Sequence, residues 1–255
     1  MLLPRLIPCM DVHHGRTVKG VEFEGLVDSG DPVQLALQYA AGGADELVWL
    51  EISATVEGQK LPLEKIRELR ARLNIPLTVG GGIHTLSDAE QLLQHGADKV
   101  SINSAALQIP SLITEVARRW GSQCMVVSVD VRWTEQGYSV FSHGGRRPAG
   151  RELGKWIHEA DERGAGEFLL TSIAHDGGQD GYDVAMLDYA RQFTKRPIIA
   201  SGGAGSADHL AIALERGHTA LLLASILHQG RASISTLKSQ LQQRGFQVRG
   251  QNQRS

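Results

Sequence analysis

The chain is short of several things. Its 255 residues include only 2 cysteines, Cys9 and Cys124, and only 5% are aromatic. Two cysteines cannot make a zinc cluster or a disulfide scaffold, and they point to reduced thiols in a cytoplasmic setting. No apolar run reaches the roughly 20 residues that cross a bilayer. The opening Met1-Leu2-Leu3-Pro4-Arg5-Leu6-Ile7-Pro8-Cys9 puts a charge and two prolines into nine residues, which reads as neither a signal nor a transit peptide. Charge of one sign is also missing. Lys+Arg number 26 against 28 Asp+Glu, a formal net charge of −2, so the basic face that nucleic acid requires is not expected. The 10 histidines show no ligand spacing. Neither metal nor cofactor is expected, and neither nucleic acid nor membrane is expected as a partner. At 42% hydrophobic, the chain can fill a substantial core, which excludes disorder.

What the sequence does contain is a strand-then-helix rhythm. Short β-rich runs predict strands over Arg5–Val12, Glu46–Ile52, Leu77–Val79, Lys99–Asn103, Met125–Asp130, Glu167–Ser172, Pro197–Ala200 and Ala220–Leu223. Apolar spacing and cap residues predict helices over Pro32–Ala41, Leu63–Leu73, Ser87–Gln94, Ser111–Trp120, Arg151–Arg163, Asp183–Gln192, Ser206–Arg216 and Ile234–Gln243. Eight such units in about 250 residues are the size of a TIM barrel. A doubly wound open sheet is the runner-up. It calls for a Gly-rich phosphate loop after the first strand, where this chain reads Asp11-Val12-His13-His14-Gly15. The halves also echo each other. Gly82 and Gly203 stand 121 residues apart, as do Ser104 and Ser225, while Asp11 and Asp130 stand 119 apart. The reading is an α/β protein, a single (β/α)8 TIM barrel over residues 1–255. It is built from two repeated (β/α)4 halves of about 1–120 and 121–245, with a frayed tail over 249–255.

Barrel active sites lie at the C-terminal ends of the strands. Asp11 ends the first strand and Asp130 the fifth, so the two carboxylates are expected to face each other across the mouth. Sharing one cavity, they can take different pKa values and serve as an acid/base pair. Capping or salt-bridging is the plainer reading of each. The Gly80-Gly81-Gly82 and Gly202-Gly203 clusters let the backbone approach a ligand closely. With Asn103-Ser104 and Ala224-Ser225 they form two candidate phosphate grips. Two opposed grips imply a substrate with a phosphate at each end and its middle between the aspartates. Residues His13 to Gly30 form a long loop of lid type carrying Lys19, and Arg132, Arg146 and Arg147 add cations near the mouth. At the other end, Arg5, Lys99 and Glu167 share the inward parity. Simple alternation does not clearly place Glu46 with them. These charges are either a structural ion-pair plug or a gate at the foot of an axial channel.

The residues also resemble a known family. Ile7-Pro8-Cys9-Met10-Asp11-Val12 with Gly15-Arg16-Thr17-Val18-Lys19-Gly20, Val79-Gly80-Gly81-Gly82-Ile83, Gly96-Ala97-Asp98-Lys99-Val100-Ser101-Ile102-Asn103 and Ile199-Ala200-Ser201-Gly202-Gly203-Ala204-Gly205 are similar to blocks of the HisF family. That family is the cyclase subunit of imidazole glycerol phosphate synthase in histidine biosynthesis, and the resemblance covers nearly the whole chain. It implies a lyase. Ammonia adds to the keto carbon of a bis-phosphorylated ribulosyl aminoimidazole carboxamide (PRFAR), giving imidazole glycerol phosphate and aminoimidazole carboxamide ribotide (AICAR). It further implies Asp11 and Asp130 as the catalytic pair. Lys19, Gly82, Asn103, Ser104, Thr171, Gly177, Ser201, Gly203, Ala224 and Ser225 are the implied substrate-binding residues. Arg5, Glu46, Lys99 and Glu167 become an ammonia gate, with a glutaminase (HisH-like) partner at the N-terminal face. The related HisA-like isomerase and a non-catalytic bis-phosphate-binding paralogue are the alternatives. The chain departs from the family pattern at Glu51, where Asp is usual. It departs again at Ala174-His175-Asp176-Gly177-Gly178-Gln179, where Asp-Arg-Asp-Gly-Thr-Lys is usual.

Overall fold

The computed structural model describes residues 3–21, 24–52 and 61–250. Twelve strands are β1 (Arg5–His13), β2 (Arg16–Val21), β3 (Glu24–Gly30), β4 (Leu47–Glu51), β5 (Leu77–Gly80), β6 (Lys99–Ile102), β7 (Met125–Thr134), β8 (Gly137–Ser142), β9 (Arg147–Glu152), β10 (Glu167–Ser172), β11 (Ile198–Ser201) and β12 (Ala220–Leu223). Eight of them pair in parallel in the order β1, β4, β5, β6, β7, β10, β11, β12, and β12 returns to β1. The ring is a closed (β/α)8 barrel, as the rhythm predicts.

Its strands are apolar on both faces because both are covered. Inward side chains Ile7, Cys9, Val48, Val126, Leu169, Ile199, Ala220 and Leu222 pack on one another inside the barrel. Outward neighbours such as Leu6, Trp49, Val127, Phe168 and Leu221 join the larger cluster beneath the helices. The period of two along each strand therefore fills two separate cores.

The helices start where their caps dictate. Asp31 accepts from the Gln34 N–H just before Pro32–Ala41, and Thr85 and Asp88 make a reciprocal capping box on Leu86–Gln94. Three details differ from expectation. The stretch between His13 and Gly30 is no irregular loop. It carries β2 and β3, which extend β1 as an antiparallel ribbon. The strand β7 likewise runs on into an antiparallel ribbon with β8 and β9. That ribbon takes Arg151 and Glu152, so the helix expected from Arg151 begins at Leu153, with Glu152 capping the Gly154 and Lys155 amides. Short helices also follow β6 and β12, at Ser104–Gln108 and Ser225–His228.

A buried ion pair ties the last helix, Ile234–Gln243, to the foot of the first strand. Lys238 Nζ lies 2.9 Å from Asp45 Oδ1, with side chains 8% and 1% exposed. Asp45 Oδ2 accepts the Leu6 amide at 2.9 Å, and Lys238 also donates to the Arg249 carbonyl at 3.0 Å. Lys238→Met keeps the aliphatic stem but strands a buried carboxylate, so it should lower the unfolding free energy by about 3 kcal/mol. Urea titration of parent and variant measures this, and a loss below about 0.5 kcal/mol would mark the pair as no more than a surface-type contact.

Candidate active site

The catalytic face is set by the strand ends. Asp11 lies near the end of β1, and Asp130 ends the barrel portion of β7. Four steps of the eight-strand ring separate β1 from β7, so the two carboxylates stand on opposite walls of one mouth. Both are buried, at 9% and 6% exposure. Asp11 Oδ1 lies 3.9 Å from the Cys9 thiol one inward step below it.

Asp130 is strongly perturbed. Desolvation pushes its pKa up to about 7, and the charges of Asp176 and Asp11 push the same way. The Gly145 backbone N–H and the Asn103 amide donate to it and oppose the rise. A carboxyl group poised near neutrality can both give and take a proton at ordinary pH. The Gly145 donor comes from the turn between β8 and β9, which also sends the His143 N–H to Ser104 Oγ at 3.0 Å. This turn roofs the Asp130 side of the mouth.

The opposite side holds a cavity lined by Asp11, Thr171, Asp176, Gly177, Gln179, Ser201, Gly203, Ala224 and Ser225, with Cys9, Leu50, Leu169 and Leu222 among its apolar walls. Gly203 has φ +95°, and a Cβ there would meet the Gly181 carbonyl oxygen at 1.9 Å, so only glycine fits. No side chain caps the helix starting at Ser225, which leaves its first amides for a ligand. Gly82, Asn103 and Ser104 do not line this cavity and stand at the ends of β5 and β6 instead. The two cradles still match in form. Asn103 has φ −114° and ψ −84°, Ala224 −130° and −86°, each before a short helix. Gly81 has φ +87°, and a Cβ on it would meet the Glu51 carbonyl oxygen at 2.1 Å.

Lys19 lies in β2, but its side chain falls outside the described residues. Arg146 and Arg147 are exposed, and Arg132 lies over the Phe141 ring, 5.5 Å from its centroid. The departures around Gln179 knit two loops together. Gln179 donates to Gln229 Oε1 at 3.0 Å and accepts from Arg231 at 2.7 Å, while His175 Nδ1 lies 3.1 Å from Asp180. Sequence reasoning gave no role to Asp176 or to the amides of His143 and Gly145. Asp176 carries a signal in the resemblance block around it, whereas backbone donors from a distant turn leave none.

At the other end of the ring the floor is a closed quartet. Arg5 reaches Glu46 at 2.7 Å and Glu167 at 2.5 Å, and Lys99 reaches Glu46 at 3.1 Å and Glu167 at 2.8 Å. Each carboxylate bridges both cations. Glu46 shares the parity of Val48 and Leu50 and does join the set. Burial opposes its charge, yet Arg5 and Lys99 outweigh that and hold its carboxyl below the usual range.

Asp130 yields a test that needs no substrate. Its folded pKa exceeds the ordinary 3.8, so the folded state keeps a proton that the unfolded chain has released. Stability from this source is complete at low pH and is lost as pH rises towards 7. Asp130→Asn removes that cost, so its stability gain should be about 2–3 kcal/mol larger at pH 8 than at pH 5. Equal gains at the two pH values, by urea unfolding, would mean an unperturbed carboxyl.

Known proteins align with this geometry along its length. The family described as histidine biosynthesis protein matches residues 5–233. A protein of Anoxybacillus flavithermus named imidazole glycerol phosphate synthase subunit HisF is 49% identical over 252 residues, covering 98% of this chain and all of that one. The Streptomyces coelicolor protein of the same name is 49% identical over 249 residues, 97% of this chain and 99% of its own. That of Exiguobacterium sibiricum is 48% identical, covering 98% and 100%. Similarity of this extent, on a closed barrel with paired aspartates at its mouth, leaves one conclusion: the chain belongs to the histidine biosynthesis protein family.

Proposed function

We propose that this chain is the cyclase subunit of imidazole glycerol phosphate synthase, converting PRFAR and ammonia into imidazole glycerol phosphate and AICAR. The observation that carries this reading is the Asp11/Asp130 pair facing across the barrel mouth, in a chain whose full-length relatives bear the HisF name. Ammonia adds to the keto carbon and water leaves as the imine forms. The nitrogen that came from ammonia then bonds to the formimino carbon and closes the imidazole ring, and the C–N bond from that carbon to the carboxamide ribotide breaks as the ribotide leaves as its amine with a proton. Each step moves a proton. Asp130, held near neutrality, and Asp11 on the opposite wall supply and accept those protons without a cofactor.

Positioning comes from the two ends. Gly177, Gly203, Ala224 and Ser225 hold one phosphate, with Thr171 and Ser201 beneath, and Gly82, Asn103 and Ser104 hold the other. Lys19, in the ribbon after β1, is the residue that the family resemblance gives to the substrate. The spacing between the cradles selects a long bis-phosphate with its reacting centre between the carboxylates. The equivalent form of the cradles supports a single barrel domain of two repeated halves, about 1–120 and 121–245. Residues 251–255 of the expected frayed tail lie outside the described residues.

The floor quartet serves as a gate. A glutaminase (HisH-like) partner at the N-terminal face releases ammonia, which passes the Arg5, Glu46, Lys99 and Glu167 ring into the barrel. Among the described residues no helix is long and apolar enough to cross a membrane, in keeping with a cytoplasmic biosynthetic enzyme.

Incubation of the purified protein with PRFAR and an ammonium salt at alkaline pH should yield imidazole glycerol phosphate. Asp130→Asn should lose about 100-fold or more of that turnover. No product from the parent, or full activity in the variant, would sink the assignment. Lys99→Met addresses the gate. It should reduce glutamine-driven turnover, with the partner present, several-fold more than turnover with free ammonia. Equal losses would reduce the quartet to a structural plug.

A further inference from the structure

The family resemblance gives Asn103 to phosphate, but its side chain is turned to other work. Its Nδ2 donates to Asp130 Oδ2 at 2.9 Å. Its Oδ1 is buried and has no hydrogen-bond partner among the described residues. A buried amide oxygen left unpaired costs free energy, and such an atom in a working site asks for a reason. The reason lies in the two forms of the neighbouring carboxyl. An ionised carboxylate only accepts, so it needs the amide N–H. A protonated carboxyl also donates, and then needs an acceptor.

We propose that Asn103 is a positioning residue for Asp130: its amide donates to the carboxylate and turns over about the Cβ–Cγ bond to accept from the carboxylic acid. In the first state Oδ1 is the spare atom, and in the second it takes the Asp130 proton in a hydrogen bond. The carboxyl group therefore keeps a partner, and its place, through both halves of a proton-transfer cycle. Asn103 takes part in the phosphate cradle through its main chain. This deepens the cyclase reading and rests on it for the use made of the proton.

The surroundings make Asn103 the suitable partner. From β10, Thr171 stands opposite Asp130 in register, and from β8, Phe141 does. The roofing turn gives the Gly145 N–H, which favours the ionised form, and carries His143, with Arg147 at the start of β9 beyond it. The charges of Asp176 and Asp11 both favour the protonated form. Of the two groups that donate to Asp130, only the amide can reverse its polarity.

The test uses the resting protein and no substrate. The Asp130 13Cγ signal, assigned by its disappearance in Asp130→Asn, is followed against pH, together with the side-chain 15N and amide protons of Asn103. In the parent, the Asn103 signals should move with the same midpoint as the Asp130 carbon. In Asn103→Leu, both bonds are gone, and the Asp130 midpoint should rise by about half a pH unit, because the charge-assisted bond to the ionised form is the stronger of the two. Binding of inorganic phosphate to that variant is measured alongside. Flat Asn103 signals, or an unchanged Asp130 midpoint in the variant, would overturn the proposal. A tenfold loss of phosphate affinity with an unmoved midpoint would also overturn it, by returning the amide to the phosphate. If Asn103→Leu does not fold, the parent signals alone decide. Neither readout involves turnover, so failure of the cyclase reading, seen as no product from PRFAR, is a separate result.

Discussion

Hydrogen bonding between β7 and β10 closes the ring, with six residue pairs in register from Glu167 opposite Val126 to Ser172 opposite Val131. The layout of core and charge is a consequence of that closure. A closed parallel sheet has no free edge, so each strand is covered on both faces and the inward side chains have only one another to touch. Apolar residues fill the middle, and charge is confined to the two ends. At the foot, four ions neutralise each other in a ring. At the mouth, the Asp130 carboxyl is met by amide donors in place of cations.

The two ends solve the same problem differently. Removing a charge from water is costly, and the cost must be met by opposite charge or avoided by holding a proton. The floor uses opposite charge: each of Glu46 and Glu167 contacts both Arg5 and Lys99. The mouth holds the proton. Asp130 takes hydrogen bonds from two amides, and two other carboxylates repel its charge. One end is built to remain as it is, the other to change state.

Much of this could be read in the sequence. The eight barrel strands fall where the β-rich runs predict them, because a strand covered on both faces needs a continuous apolar run that stands out from amphipathic helices. The special glycines were visible as well, since Gly81 and Gly203 stand where any Cβ would strike a carbonyl oxygen. The ribbons were not legible. Arg16–Val21 and Glu24–Gly30 carry the mixed polar pattern of a loop. Their pairing is decided by the strand that they extend. Glu46 was ambiguous for a similar reason. It lies just outside the regular strand, where alternation is a weak guide, and Arg5 and Lys99 draw it inward.

By itself the sequence determined the order and type of the elements and the strand-end places of Asp11 and Asp130, since these depend on residues a few positions apart. Only the tertiary structure decided what those residues are bonded to and which protons they hold. Arg5 and Glu167 lie 162 positions apart, and Asn103 and Asp130 27 apart. Contacts of that kind exist only once the ring has closed and expelled water, and exclusion of water is what turns an ordinary aspartate into one that titrates near neutrality.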